Sequence, residues 1–368
     1  MAMKLFSVRK SHLKPAVLLL TGILMAGLLG ACGNNSNNGN SAASTASASP
    51  SAAANQEASP SAASSEPAAA EASTRVFKDY EGHEVTIPTH PQRILVDQFM
   101  GHMEAVGVKP IGATENQLSQ FEKSSFLKSL NLTDGVENLG ATTISLEKAL
   151  SLNPDLIILQ ENNAEGVKNY DEYAKIAPTV VLSYGSKTMF DQLREIADIV
   201  GESDKAEAWI AQYESKAAGY REQLAKVIPE GTTFTVIEAW PKGQVELFGN
   251  LFGRGTFSLY NSLQLQAPAT VQEAVMDKEP SYLALSLETL PNYIGDYVFL
   301  SVYDWQDNDN GKLAAEFEEL NVWRSLSAVK NDHVFHVDVN DFLPGDPLSI
   351  EKQLDEQARL LLEKFGNP

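Results

Sequence analysis

Cysteine is almost missing from this chain: 368 residues hold only Cys32. Past that position there can be no internal disulfide, no thiolate nucleophile and no cysteine-ligated metal cluster. Positive charge is scarce too, with 28 Lys and Arg against 48 Asp and Glu and a formal charge of −20. A chain this acidic is repelled by nucleic acid and by anionic lipid. Histidine is thin: beyond the first segment there are only His83, His90, His102, His333 and His336. A bare zinc or manganese ion needs several His and carboxylates converging. His333 and His336 bound an apolar run and, three residues apart on a strand, would point to opposite faces. No Gly-x-Ser-x-Gly elbow and no His-Glu-x-x-His helix is present. The longest apolar run, Ala16 to Leu29, is short for a membrane span and is broken by Gly22 and Gly27.

That run follows Lys4, Arg9, Lys10 and Lys14 and leads into Leu29-Gly30-Ala31-Cys32. A basic stretch, an apolar stretch and small residues before a cleavage point read as an export signal over residues 1–31. The alternative is an uncleaved anchor. The last four residues resemble the lipobox of bacterial lipoproteins, in which the cysteine is diacylated and becomes the first residue. Two acyl chains, at roughly 0.8 kcal/mol per methylene, hold a protein on a membrane where one chain is marginal. The expected location is the outer face of the cell membrane, with the lipid on Cys32. Loss of residues 1–31 removes four basic and no acidic side chains, so −20 becomes −24.

Residues 32–74 follow, made of Asn, Ser, Ala, Gly and Pro with scattered Glu and no aromatic or branched apolar residue. Such a composition cannot bury enough surface to offset chain entropy, so a disordered tether reaching on the order of 35 Å is expected. The remaining chain exceeds the usual size of a single core and invites two lobes. Short branched-apolar runs alternate with helical ones. They lie at Ile94 to Val96, Pro110 to Ala113, Asp155 to Leu159 and Thr179 to Leu182, then at Thr233 to Ile237, Tyr297 to Val302 and His333 to Val337. This is the pattern of an α/β chain with a mostly parallel sheet in each half, two Rossmann-like lobes over residues 75–202 and 229–368. Between them Ala206, Trp209, Ile210, Tyr213, Ala217, Tyr220, Leu224 and Val227 recur near the helical period, up to Pro229. They predict one long helix over residues 203–228, either a strut from lobe to lobe or a surface helix of one lobe.

The halves also repeat. Ser145-Leu146-Glu147, followed by Asp155-Leu156-Ile157-Ile158-Leu159, is matched 141 residues later by Ser286-Leu287-Glu288 and Asp296-Tyr297-Val298-Phe299-Leu300. One such motif means no more than a serine-capped helix with an acidic first turn. Two copies suggest a pseudo-twofold pair of exposed carboxylates. Further ordered features are Pro91-Gln92-Arg93-Ile94, Gly107-Val108-Lys109-Pro110-Ile111-Gly112, Asn153-Pro154-Asp155, Gly201 to Ala206, and Leu326-Ser327-Ala328-Val329-Lys330-Asn331. Together they make the chain, from Phe77 onward, resemble the class III periplasmic-type binding proteins that serve siderophores, haem and vitamin B12. The resemblance implies a monomer of two lobes on a single long helix, receiving a ferric siderophore and passing it to the membrane permease of an ABC importer. It implies no catalysis and no cofactor of its own, the iron being held by the siderophore. In that family a glutamate of each lobe docks to permease arginines; the matching positions are Glu147 and Glu288.

In open α/β sheets ligands gather beyond the carboxyl ends of the strands. That nominates Gln98, Phe99 and His102, then Glu115, Asn116, Gln160, Asn162 and Tyr184 in the first half. In the second half it nominates Trp240, Tyr303, Trp305, Asn340 and Phe342. Arg254, within Gly249 to Gly255, resembles the glycine-rich stretch of the family's second lobe and could reach the ligand; the spacing is no phosphate fingerprint. The ligand set expected is Gln98, His102, Asn116, Tyr184, Trp240, Arg254, Tyr303, Trp305 and Phe342, while Trp209 and Trp323 belong to helices and the core. A ferric catecholate carries a large negative charge. The strand ends offer Asp97, Glu115, Glu161, Glu238 and Asp304, with Lys242 and Arg254 the main cations. A hydroxamate complex, near neutral or cationic, suits that balance better. Haem, with His102 or Tyr184 as axial ligand, and vitamin B12 stay open, as does an exported siderophore esterase.

Overall fold

The computed structural model describes residues 73–184, 186–305 and 309–366. The export signal, Cys32 and nearly all of the tether lie outside the described residues. Thr74, expected as the tether's last residue, is the first of β1 (Thr74–Lys78), and the Ser73 carbonyl accepts from Thr89 N–H at 2.9 Å. Strand β1 forms an antiparallel hairpin with β2 (Glu84–Pro88), with Arg75 opposite Ile87 and Phe77 opposite Val85. The buried Asp79 carboxylate at its turn accepts from His83 N–H at 2.8 Å and from Val181 N–H at 3.0 Å, tying the hairpin to the sheet behind it.

That sheet comprises β3 (Ile94–Val96), β4 (Gly112–Ala113), β5 (Glu137–Asn138), β6 (Leu156–Gln160) and β7 (Thr179–Leu182), in the order β5-β4-β3-β6-β7 and parallel throughout. Its central strands are nearly continuous apolar runs because both faces are covered. Ile94, Val96, Leu156 and Ile158 enter one core, while Leu95, Ile157 and Leu159 enter the other. The second sheet is built from β8 (Phe234–Trp240), β9 (Gln244–Phe248), β10 (Tyr282–Leu285), β11 (Tyr297–Val302) and β12 (Val334–His336), in the order β10-β9-β8-β11-β12. Strand β9 runs against both of its neighbours, while β8, β11 and β12 are parallel. The connection Pro241–Gly243 is too short for a parallel crossover and turns the chain straight back, with Lys242 and Gly243 at positive φ. The expectation of mostly parallel sheets thus holds, with β9 the one reversed strand described in the two five-stranded sheets.

The long helix runs from Ser203 to Leu224, 22 residues or about 33 Å. It stops short of the expected 228, and residues 225–227 continue only as turns before Pro229, which disfavours helix at the residue ahead of it. Its first half places Ala206 and Ile210 in the core with β3 and β6; its second half places Tyr213, Ala217 and Leu224 with Phe234 and Val236 of β8. It is therefore packed into both halves and is no surface helix of one. Nor is it alone in bridging them. The terminal helix Pro347–Gly366 sets Leu348 against the first core and Ile350, Leu354 and Leu361 into the second. Ahead of it, buried Asp341 accepts from Ser124 Oγ at 2.8 Å and Phe126 N–H at 3.2 Å, and Gln120 donates to Asp346 at 3.2 Å. The expected single connecting helix is thus seconded by a hydrogen-bonded return of the chain.

The two repeat copies differ in form. Ser145 Oγ accepts from Lys148 N–H at the start of the helix Leu146–Leu152. After Ser286 only a short 3-10 turn, Leu290–Asn292, forms, because Pro291 supplies no N–H for a helical bond. The second serine is therefore not an α-helix cap.

Candidate functional site in the cleft between the lobes

Among the described residues, two cavities large enough for a small molecule lie between the halves. The first, of about 380 Å³, is lined by Asn162 and Tyr184 from the first half, and by Trp240, Glu246, Phe252, Arg254 and residues 279–282 from the second. The other, of about 460 Å³, lies among Asn116, Ser119, Gln120 and Lys123 on one side and Tyr303, Asn310, Val339, Asn340 and Leu343 on the other. A void of about 10 Å³ between Gln98, His102, Gln117, Gln120, Tyr184 and Asp346 shares a lining residue with each. Asn116, Asn162, Tyr184 and Tyr303 all follow parallel strands at their carboxyl ends, and Trp240 ends β8, as expected for this sheet type.

Glu238 organises the wall of the first cavity. It is 0 % exposed, yet fully engaged: it accepts from Arg254 Nη2 at 3.1 Å and Nε at 3.3 Å, from Trp240 Nε1 at 2.8 Å and from Ser301 Oγ at 3.2 Å. A buried carboxylate is tolerated only when paired and hydrogen-bonded in this way. Arg254 lies in the left-handed region, φ 70°, with its guanidinium carbon 4.7 Å from the Phe248 ring centre and 5.5 Å from that of Phe252. Its charge is thereby met by Glu238 and by two aromatic faces. The glycines around it serve close approach. A Cβ on Gly253 would stand 2.3 Å from the Leu343 carbonyl oxygen, and one on Gly255 2.7 Å from the Phe342 ring. The stretch is a packing device with Arg254 at its tip, in keeping with its lack of a phosphate fingerprint.

Glu246 on β9 stands directly opposite Glu238 on β8. Like charges opposite one another in a sheet repel. Burial, opposed by Arg254 and aided by Glu238, pushes the Glu246 carboxyl up to about 7. On the first-lobe side Asp97 is likewise pushed up to about 7 by burial, although Gln160 N–H at 2.9 Å and Asn163 Nδ2 at 2.8 Å donate to it. Its own carbonyl accepts from Thr114 Oγ1 at 2.9 Å, so Asp97 ties together the ends of β3, β4 and β6 below the cleft.

Four expected ligand residues, Phe342, His102, Trp305 and Gln98, line neither of the two larger cavities. Phe342 is buried, edge-to-face with Phe126 and against Gly255, and is core. His102 is turned inward by the helix Met100–Ala105: it is 2 % exposed, and burial, opposed by Gln192, holds the imidazole down at about 3. It borders only the small void, which has room for about one water and not for a haem. Trp305 is 42 % exposed and lines neither cavity. Lys242, one of the two cations expected nearby, sits exposed in the β8–β9 turn. Gln98 accepts from Gln117 Nε2 at 3.0 Å beneath the cleft. Residues that sequence reasoning missed are Glu246, Phe252 and Tyr282. Glu246 is on the reversed strand β9, Phe252 on its continuation and Tyr282 at the start of its edge neighbour β10, where no strand-end rule points. Trp323 is buried and Trp209 stacks on Tyr213 at 5.2 Å, as expected.

Glu147 and Glu288 are both exposed, and neither carboxylate has an ion-pair partner among the described residues. His333 binds the Asp296 carbonyl at 3.0 Å and His336 pairs with Glu318 at 3.6 Å, so the two diverge. Among the described residues no group of three or more His, Cys, Asp or Glu is placed to hold a metal ion. Nor is any described helix long and apolar enough to cross a membrane.

Two lobes of mostly parallel sheet around such a cleft define a solute-binding protein, and the chain belongs to the periplasmic binding protein family, whose model matches residues 100–340. More particularly, it is 34 % identical over 335 residues to the iron(3+)-hydroxamate-binding protein FhuD of Bacillus subtilis, covering 90 % of this chain and 93 % of that one. Among solved structures it matches a FhuD fold-family periplasmic binding protein component of a Fep/Fec-like ferrichrome ABC transporter from Bacillus subtilis. That match has a TM-score of 0.66 and 35 % identity over 77 % of this chain and 99 % of the other. FhuD2 from Staphylococcus aureus with bound ferrioxamine B matches with a TM-score of 0.63 and 25 % identity, over 74 % and 99 %. These relatives are binding proteins.

Proposed function

We propose that this chain captures a ferric siderophore of the hydroxamate class between its lobes and delivers it to the permease of an ABC importer, carrying out no chemical step itself. The observation that carries the reading is the cavity between Tyr184 and Trp240. There the one cation among the described lining residues, Arg254, is already neutralised by Glu238 and offers little to a highly anionic catecholate, while aromatic faces and amide groups suit a near-neutral complex. Residues 75–202 and 229–368 act as the lobes and 203–228 as the connection. Closure is limited, since Asp341 and Asp346 fasten the lobes behind the cleft. Residues 1–31 direct export, Cys32 carries the lipid on the outer face of the cell membrane, and residues 32–74 tether a monomer. Exposed Glu147 and Glu288 meet permease arginines through charge-assisted bonds.

The test is a tryptophan-fluorescence titration of the full chain in detergent micelles with ferric hydroxamates, a ferric catecholate, haem, cobalamin and zinc. Quenching at submicromolar ferric hydroxamate is expected, with no saturable response to the others. Saturation only by haem, cobalamin or the catecholate would replace the cargo, and silence from every ligand would reject the reading.

A further inference from the structure

The charges around the first cavity do not balance. Arg254 is held by Glu238 at 3.1 Å, and this pair is closed on itself. Glu246, opposite Glu238 across the β8–β9 ladder, lines the cavity and accepts no hydrogen bond from any described residue. The groups around it are few. Glu238 faces it from β8, Arg254 and Glu279 come from the loops, Tyr282 from the edge of β10, and Tyr184 from the opposite lobe. Of these only Arg254 is cationic, and it is already engaged. A carboxylate in a cavity, half-buried and without a partner, is stabilised by any ligand that brings a positive charge within about 4 Å.

We propose that Glu246 is a specificity-determining residue which selects, among ferric hydroxamates, those bearing a free cationic arm such as a primary ammonium. The iron–hydroxamate core is held by the aromatic and amide walls, and the ammonium pairs with the Glu246 carboxylate. The inference rests on the hydroxamate reading above and deepens it. Because burial, opposed by Arg254 and aided by Glu238, pushes Glu246 up to about 7, the preference has a pH signature. The carboxylate attracts the arm while ionised, and protonation in acid abolishes the attraction, whereas the ammonium itself stays charged throughout.

The experiment is calorimetric titration of the full chain in detergent with ferrioxamine B, which carries a pendant ammonium, and with its N-acetylated neutral form. Each is measured at about pH 8 and about pH 5.5, with the unaltered chain and with Glu246→Gln. At the higher pH the cationic ligand should bind about tenfold more tightly than the neutral one. That ratio should fall to about one at the lower pH, and to about one at either pH in Glu246→Gln. Equal affinities at the higher pH, or a preference that survives Glu246→Gln, would overturn the proposal while leaving hydroxamate capture intact. If neither complex binds, the hydroxamate reading itself fails and the proposal with it. The pH comparison on the unaltered chain keeps the proposal falsifiable should the variant not fold.

Discussion

Asp155 receives the backbone N–H groups of Gln92 at 2.7 Å and Arg93 at 2.9 Å, and 141 residues later Asp296 receives that of Thr233 at 2.8 Å. In each lobe an aspartate opening one central strand, β6 or β11, thereby holds the chain as it enters its neighbour, β3 or β8. The frame is repeated, but what hangs on it is not. The first lobe continues through parallel crossovers, whereas the second turns back at Pro241–Gly243 into β9. That reversal brings Glu246, Arg254 and Tyr282 to the cleft. The shared frame positions the two walls, and the unrepeated hairpin of the second lobe carries the charge chemistry.

The largest effect is expected for the double variant Glu147→Ala, Glu288→Ala, which should abolish iron uptake by cells while ligand affinity in titration stays unchanged. A large affinity loss would remove both residues from the docking surface. Next comes Glu238→Ala, which strands Arg254 in the second-lobe wall. Removing one partner of a buried pair costs about 3–5 kcal/mol, measured by denaturant unfolding, and ligand affinity should fall with it. Asp155→Ala and Asp296→Ala should each cost about 0.5–1.5 kcal/mol, since exposed backbone donors lose their acceptor but can turn to water. Markedly unequal losses would mean that the repeated frame is only a likeness of sequence. Ser145→Ala should cost about 1 kcal/mol as a lost helix cap, and Ser286→Ala, before a mere turn, less than about 0.5 kcal/mol.

The smallest effect is in pH. Asp97 and Glu246 are both pushed up to about 7 from ordinary values of 3.8 and 4.5, so the folded chain binds more protons than the unfolded one in that interval. Their contribution to stability is present below the ordinary values and is lost as pH rises through about 7. Glu246→Gln should therefore flatten the decline of thermal stability across this window, and an unchanged slope would contradict the assignment.

Much of the frame was legible in the amino-acid order. The runs at β3, β6, β7 and β11 are apolar because both faces of those strands are covered, and the helical period at 206–224 reports burial along one stripe. Strand ends led to Asn116, Tyr184, Trp240 and Tyr303 because a parallel sheet delivers its carboxyl ends to one side. Side-chain direction was not legible. His102 and Phe342 lie close to strand ends, but the rotation of short helices turns them into the core, a matter of tertiary packing. Strand β9 was missed because its glutamate interrupts the apolar run, and only the pairing with β8 reveals that Glu246 faces Glu238 and the cleft. Ser286 read as a cap by analogy with Ser145, and the proline five residues on decided otherwise.

The claim at the centre is that the cavity between Tyr184 and Trp240 holds the iron complex. Anomalous scattering at the iron edge, from crystals grown with ferrioxamine B, locates that iron directly. The account predicts one iron peak in this cavity, beside the Trp240 ring and clear of His102. A peak in the cavity of Asn116 and Tyr303 instead, or iron liganded directly by side chains of the protein, would contradict it.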